Sequence, residues 1–354
     1  MGDCRVIVVV MLATCGLCAD ALFARQAASA PEVASQHPSP SAEIRVQSVL
    51  VNEPVTVRDA KGAMVHDLQV SDFQVTDNGV PQTITQFDVG GDALSLVIVV
   101  ETSSRVEALM PKFRKTGVLV TQTVMGPNAE AGVVGFNDEV KTLQPFTANP
   151  DKIEEVFSHL DNGTSGSKLY DALALGVEML SERPEGTATE PGRRRIMLVL
   201  AEADDKGSEA KLDEVVRKAQ LENITIWSVS LSTVHALIEN RAKMKPSDPG
   251  YGDNNLIPVA KWAVTHMRDQ VAGTPLEIAA LATGGSSISI WKDRLIGKAI
   301  DRIGGELHSQ YLLTYTPTGT GAGGFHEIQV KVDEPKTKVK FRPGYYLDGA
   351  SSSH

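Results

Sequence analysis

The chain is nearly without cysteine. It has 354 residues and three cysteines, Cys4, Cys15 and Cys18, all within the first 18 positions. Past residue 18 there is no thiol to form a disulfide, ligate zinc or act as a nucleophile. A basic block is missing too. Lys and Arg total 34 against 44 Asp and Glu, a net charge of −10. Sequence-independent nucleic-acid binding needs a basic face, so that class is excluded; acidity of this size serves solubility. The eight histidines are scattered, with no H-E-x-x-H pair for zinc, and each reads as a surface or strand-face residue. No G-x-S-x-G elbow presents a serine nucleophile.

What is present begins with a leader. Arg5 precedes a short apolar core at residues 6–13, and small-residue sites follow at Ala19-Asp20-Ala21 and Ala28-Ser29-Ala30. The core is too short to span a bilayer comfortably and reads as a signal peptide, residues 1–24. The expected location is therefore periplasmic or secreted, with no membrane span in the mature chain. Cys15 after Leu12-Ala13-Thr14 gives a second reading, a lipid anchor. Residues 25–42, rich in Ala, Ser, Pro and Gln, read as a flexible tether.

Three blocks follow. Residues 43–90 alternate as short strands, with a tight turn at Asp77-Asn78-Gly79. Residues 91–308 alternate strand and helix, the pattern of a parallel sheet. Their centre is the unbroken apolar run 96–100, which must be covered on both faces. It ends at Glu101-Thr102-Ser103-Ser104, and ligands of open α/β sheets bind beyond such strand ends. Further strands are expected at 131–136, 196–200, 224–229 and, on an edge, 287–291. Helices are expected at 106–124, 151–160, 169–180, 209–222, 275–282 and 295–307. Arg193-Arg194-Arg195 reads as a solvated edge. Residues 233–273 form a long turn-rich segment, expected to border the top of the sheet. Residues 309–347 return to strands and, with 43–90, are expected to form one β-sandwich around the α/β block. Residues 348–354 read as a disordered tail. The glycine-rich 319–324 matches G-x-G-x-x-G but opens no helix, so it reads as a hairpin loop. Asn162-Gly163-Thr164 is a formal glycosylation sequon.

Residues 96–104, 132–136, 166–173 with Leu169-Tyr170-Asp171-Ala172-Leu173, and 196–202 resemble a von Willebrand factor type A domain. With Asp72-Phe73 and Gln82-Thr83-Ile84 before it, and Tyr311-Leu312-Leu313-Thr314-Tyr315 and Gly344-Tyr345-Tyr346 after it, the chain resembles an exported bacterial family known from Acidobacteria. The resemblance implies a Rossmann-like, mostly parallel six-stranded sheet flanked by helices. It also implies a divalent-cation adhesion site with an Asp-x-Ser-x-Ser loop, a Thr and a later Asp. Those positions fall on Glu101, Ser103, Arg105, Ser167 and Glu202. Mg²⁺ or Mn²⁺ would take Glu101, Ser103, Ser167 and Glu202 if bound. Arg105, a fixed cation in place of a neutral ligand, speaks against it. The expected site is therefore degenerate. Arg105 pairs with Glu101 or Glu202 and does internally what the ion does elsewhere. Asp204 and Asp205 are near enough to offer oxygens, but read as loop or cap residues.

The resulting function is an exported, non-catalytic protein-binding module of adhesion or scaffold type. No catalytic residue and no cofactor is assigned, and the protein partner is unidentified. The rival readings are a structural subunit of an envelope assembly and a hydrolase using Glu101 and Glu202 as paired carboxylates.

Overall fold

The computed structural model describes residues 50–90, 93–184, 193–231, 274–290, 295–319 and 323–347. The leader, the tether, the segment 233–273 and the tail lie outside them, as do Trp291, His235 and His266. The first β flank supplies β1 (Val51–Arg58), β2 (Phe73–Asp77), β3 (Val80–Gln82) and β4 (Ile84–Val89). The middle supplies β5 (Ala93–Glu101), α1 (Met110–Val120), β6 (Asn128–Phe136), β7 (Val140–Thr147), α2 (Pro150–Ser158), α3 (Leu169–Ser181), β8 (Arg194–Ala201), α4 (Leu212–Leu221), β9 (Ile224–Leu231), α5 (Pro275–Ala282), β10 (Ser287–Ile290) and α6 (Ile296–Leu307). The last flank supplies β11 (Tyr311–Tyr315), β12 (Gly324–Val332), β13 (Lys338–Lys340) and β14 (Gly344–Leu347).

The apolar run in β5 dictates the centre of the fold. Side chains alternate across a strand. Leu96, Ile98 and Val100 therefore enter one core, with Phe113 of α1, Phe157 of α2 and Ile300 of α6. Val97 and Val99 enter the other, with Leu173 of α3, Val216 of α4 and Leu276 of α5. Each such buried aliphatic side chain contributes roughly 1.5–3 kcal/mol. The sheet runs β10-β9-β8-β5-β6-β7. All neighbours are parallel except β7, which returns antiparallel along β6.

Two expected helices start later than the apolar pattern suggests. Residues 106–124 open as a 3-10 turn (Ser104–Leu109), become α-helical at Met110 and end in a π turn (Thr121–Met125) at Gly126. Pro111, which has no N–H, fits only in the first turn of α1. Residues 209–211 stay outside α4 because the Glu209 and Ala210 amides donate to Asp171 Oδ1 (2.9 and 2.8 Å).

The remaining strands form two antiparallel sheets, β13-β1-β11-β4 and β14-β12-β2-β3. Each combines strands from before and after the α/β region, and the two share one apolar core that includes Val55, Phe73, Tyr311 and Ile328. Asn78 and Gly79 both have positive φ (48° and 79°), the geometry of the tight β2–β3 turn. β12 begins at Gly324, earlier than its apolar residues indicate, because Gly324 to Glu327 pair with β14 before the strand reaches β2. β11 and β12, which flank the expected hairpin loop 319–324, lie in different sheets and do not pair with each other.

The arginine triplet is not a solvated edge. Arg193 donates to the Leu94 and Asn128 carbonyls, Arg194 to those of Gly90 and Leu307, and Arg195 to that of Arg183. Three guanidinium forks thus satisfy carbonyls at the bottom of the sheet and at its junction with the flanks. A second junction is ionic. Glu306 of α6 meets Arg58 of β1 at 2.9 Å and Lys340 of β13 at 3.1 Å, and Lys340 Nζ also contacts Ser286 Oγ. His326 is buried on an inner strand face, its Nδ1 2.8 Å from Asp77 Oδ1.

Candidate functional site

The parallel strands end together at the top of the α/β domain, and three loops meet there. Glu101 is the last residue of β5 and is fully buried. Ser103 is the N-cap of the 3-10 turn that follows and accepts from the Arg105 N–H (3.3 Å). Its own hydroxyl donates to Glu101 Oε1 (2.6 Å). The other Glu101 oxygen, Oε2, accepts from the Glu202 N–H just past β8 (2.7 Å). Arg105 Nη2 then reaches Glu202 Oε2 at 2.5 Å and Asp204 Oδ2 at 3.2 Å.

The third loop precedes α3. It is stitched to the first by Gly163 N–H to the Thr102 carbonyl (2.6 Å) and Ser104 N–H to the Thr164 carbonyl (2.9 Å). A Cβ at Gly163 would meet the Asn137 side-chain amide, which would have to turn away. Ser167 donates its hydroxyl proton to the Asp204 carbonyl (2.9 Å), and its backbone bridges to Lys206. Asp205 accepts from the Tyr170 N–H (3.0 Å) and so serves the orphan amides at the start of α3.

Glu101, Ser103, Arg105 and Glu202 therefore form one bonded cluster, with Ser167 joined to it through Asp204. The guanidinium sits between Glu202 and Asp204, whereas the sequence suggests Glu101 and Glu202. The two Glu101 oxygens instead accept from the Ser103 hydroxyl and the Glu202 amide. Burial raises the Glu101 carboxyl above the usual carboxylate range. Ser103 and the Glu202 amide oppose this, the Glu202 charge adds to it and Arg105 opposes it. Sequence reasoning missed Asp204 as a partner of Arg105, and Thr102, whose N–H and hydroxyl both donate to the Phe136 carbonyl (2.8 and 3.1 Å). A hydroxyl directly after a strand-end carboxylate was the available signal. Beside Thr102 lies a groove of about 390 Å³, lined by Asn137, Glu139, Lys141, His159 and Asn162.

The donor set does not suit Mg²⁺. That ion requires an octahedron of free oxygens at about 2.0–2.1 Å. Here the Arg105 guanidinium already holds Glu202 Oε2 and Asp204 Oδ2, so a fixed positive charge stands among the would-be ligands. Among the described residues, no three of His, Cys, Asp and Glu are grouped to hold a metal.

The family model of the von Willebrand factor type A domain matches residues 95–256, a span containing all five of these positions. Among solved structures, a von Willebrand factor type A protein from Catenulispora acidiphila is 9% identical, covering 86% of this chain and 74% of that one at a TM-score of 0.44. The conserved hypothetical protein BatB from Bacteroides thetaiotaomicron is 12% identical, covering 59% and 98% at 0.37. Proximal thread matrix protein 1 from the mussel byssus, with a zinc-occupied MIDAS motif, is 12% identical, covering 66% and 50% at 0.45. No curated protein matches the chain.

Proposed function

We propose that the chain, whose residues 95–256 match the family model of the von Willebrand factor type A domain, is an exported, non-catalytic module that binds a protein partner at the top of its α/β domain. Such domains serve protein interaction or adhesion. The observation that carries the reading is the convergence of the three top loops on a rigid polar cluster beside the Thr102 groove. A surface held by short hydrogen bonds loses little entropy when a partner docks. A hydrolase is less well supported, because the two hydroxyls nearest the carboxylates donate their protons to a carboxylate and a carbonyl, and neither contacts an imidazole. No helix among the described residues is long and apolar enough to cross a membrane, in keeping with a partner met outside the bilayer.

The test is affinity capture from the extracellular or periplasmic fraction of the native host, with three baits: the tagged protein, Asn162→Arg at the groove and Val70→Arg on the sandwich surface. A partner recovered stoichiometrically by the first and third baits but lost with Asn162→Arg supports docking at the top. Loss with Val70→Arg alone would favour the structural-subunit reading, in which the sandwich docks.

A further inference from the structure

We infer that the Arg105 guanidinium is a built-in cation standing where this family places a divalent ion, so that the top of the domain is assembled without metal. This rests on bond bookkeeping within the chain and is independent of the partner proposed above.

The bonds close a ring. The Arg105 N–H donates to Ser103 Oγ, the Ser103 hydroxyl to Glu101 Oε1, the Glu202 N–H to Glu101 Oε2, and Arg105 Nη2 to Glu202 Oε2. Each of these four donors meets an acceptor within the chain. It ties the end of β5 to the loop after β8, the same two segments a shared ion would bridge. The extra methylene of glutamate has a use here. With it, the Glu101 carboxylate reaches past Ser103 to the Glu202 amide. The guanidinium also bridges to Asp204, whose backbone carbonyl takes the Ser167 hydroxyl, so the loop before α3 is drawn into the same assembly.

A divalent ion cannot be added to this ring. It would sit within a few ångströms of a fixed positive charge and be repelled. A guanidinium cannot give up its charge by deprotonation, so the arrangement is permanent. Within the ring, Arg105 Nη1 and Glu202 Oε1 are buried without a hydrogen-bond partner.

The experiment uses the full chain. Calorimetric titration with Mn²⁺ and with Mg²⁺ should show no saturable binding, and neither ion nor EDTA should shift the melting midpoint. Saturable one-to-one Mn²⁺ binding that is lost in Glu101→Ala would overturn the inference. The second arm compares Arg105→Met, which keeps the aliphatic stem and deletes the charge, with Arg105→Lys, which keeps the charge. Arg105→Met should lower the melting midpoint by roughly 5 °C, with Arg105→Lys recovering part of the loss. If Arg105→Met melts with the native protein, the side chain acts through packing alone and the inference fails. The wild-type titration stays decisive even if a variant does not fold.

Discussion

Replacing Asp77 tests the bond between the two flanks of the chain. Asp77 ends β2, is 0% exposed and accepts three hydrogen bonds. Tyr345 of β14 donates at 2.6 Å, Tyr315 of β11 at 3.1 Å, and His326 Nδ1 of β12 lies at 2.8 Å. One carboxylate from the first flank thus organises three strands of the last flank, in both sheets. Asp77→Ala leaves these donors unpaired in a buried core. A buried unsatisfied group costs about 1–3 kcal/mol. The two tyrosines can turn toward each other and recover one bond, so about two donors remain unpaired. Adding the small cavity, the expected loss is about 4 kcal/mol, a large share of the 5–15 kcal/mol typical of a domain. Asp77→Asn should cost only about 1–2 kcal/mol. Its carbonyl can keep both tyrosines, and its amide can donate to a neutral His326 Nδ1 after a tautomer change. The assay is guanidinium denaturation followed by near-ultraviolet circular dichroism, with amide exchange read in β2, β11 and β12. A loss below about 1 kcal/mol for Asp77→Ala would refute the reasoning, because the flanks would then be held by apolar packing alone.

Two further outcomes concern buried charge. Burial pushes the Glu53 carboxyl up to about 7 against the opposing pull of Arg342. Its folded value therefore lies above its unfolded one, so the stability it contributes is full below about pH 4.5 and is lost as pH rises through about 7. The stability margin of the native protein over Glu53→Gln should shrink by about 3 kcal/mol between pH 4.5 and 8, and a margin that grows would mean that Arg342 outweighs burial. At Glu306 burial alone would raise the carboxyl, but Lys340 and Arg58 outweigh it and hold it below the usual range. Its contribution is present above the unfolded value and lost as pH falls through the folded one. Glu306→Gln should thus cost about 2 kcal/mol at pH 7 and much less near pH 3 by urea denaturation, and equal costs at both would contradict the ion-pair account.

The parts of the fold legible in the sequence are those decided locally. Residues 96–100, 131–136 and 196–200 read as buried strands because an apolar run without a polar face has only one stable environment, and all three lie within the six-stranded sheet. For the helix expected at 151–160 the sequence offers Asn149 or Asp151 as cap, and it is Asn149 that accepts from the Asp151 N–H. Asn78-Gly79 reads as a turn because few other pairs tolerate two positive φ values. What the sequence hid depends on partners far along the chain. Nothing local to Arg193-Arg194-Arg195 shows that carbonyls about 100 residues away need donors. Sheet membership is equally non-local, so 319–324 looks like a hairpin until β11 and β12 are seen in different sheets. The candidate site divides the same way. A strand-end carboxylate followed by hydroxyls marks Glu101 and Ser103, and a buried strand running into Glu202 marks the opposite wall. Which carboxylate Arg105 reaches is something no spacing encodes: its Nη2 meets the side chains of Glu202 and Asp204, while the Ser103 hydroxyl and the Glu202 amide donate to the two oxygens of Glu101. On the inference drawn above, a departure that looks in the sequence like the loss of an ion site is a different way of holding carboxylates at the same place.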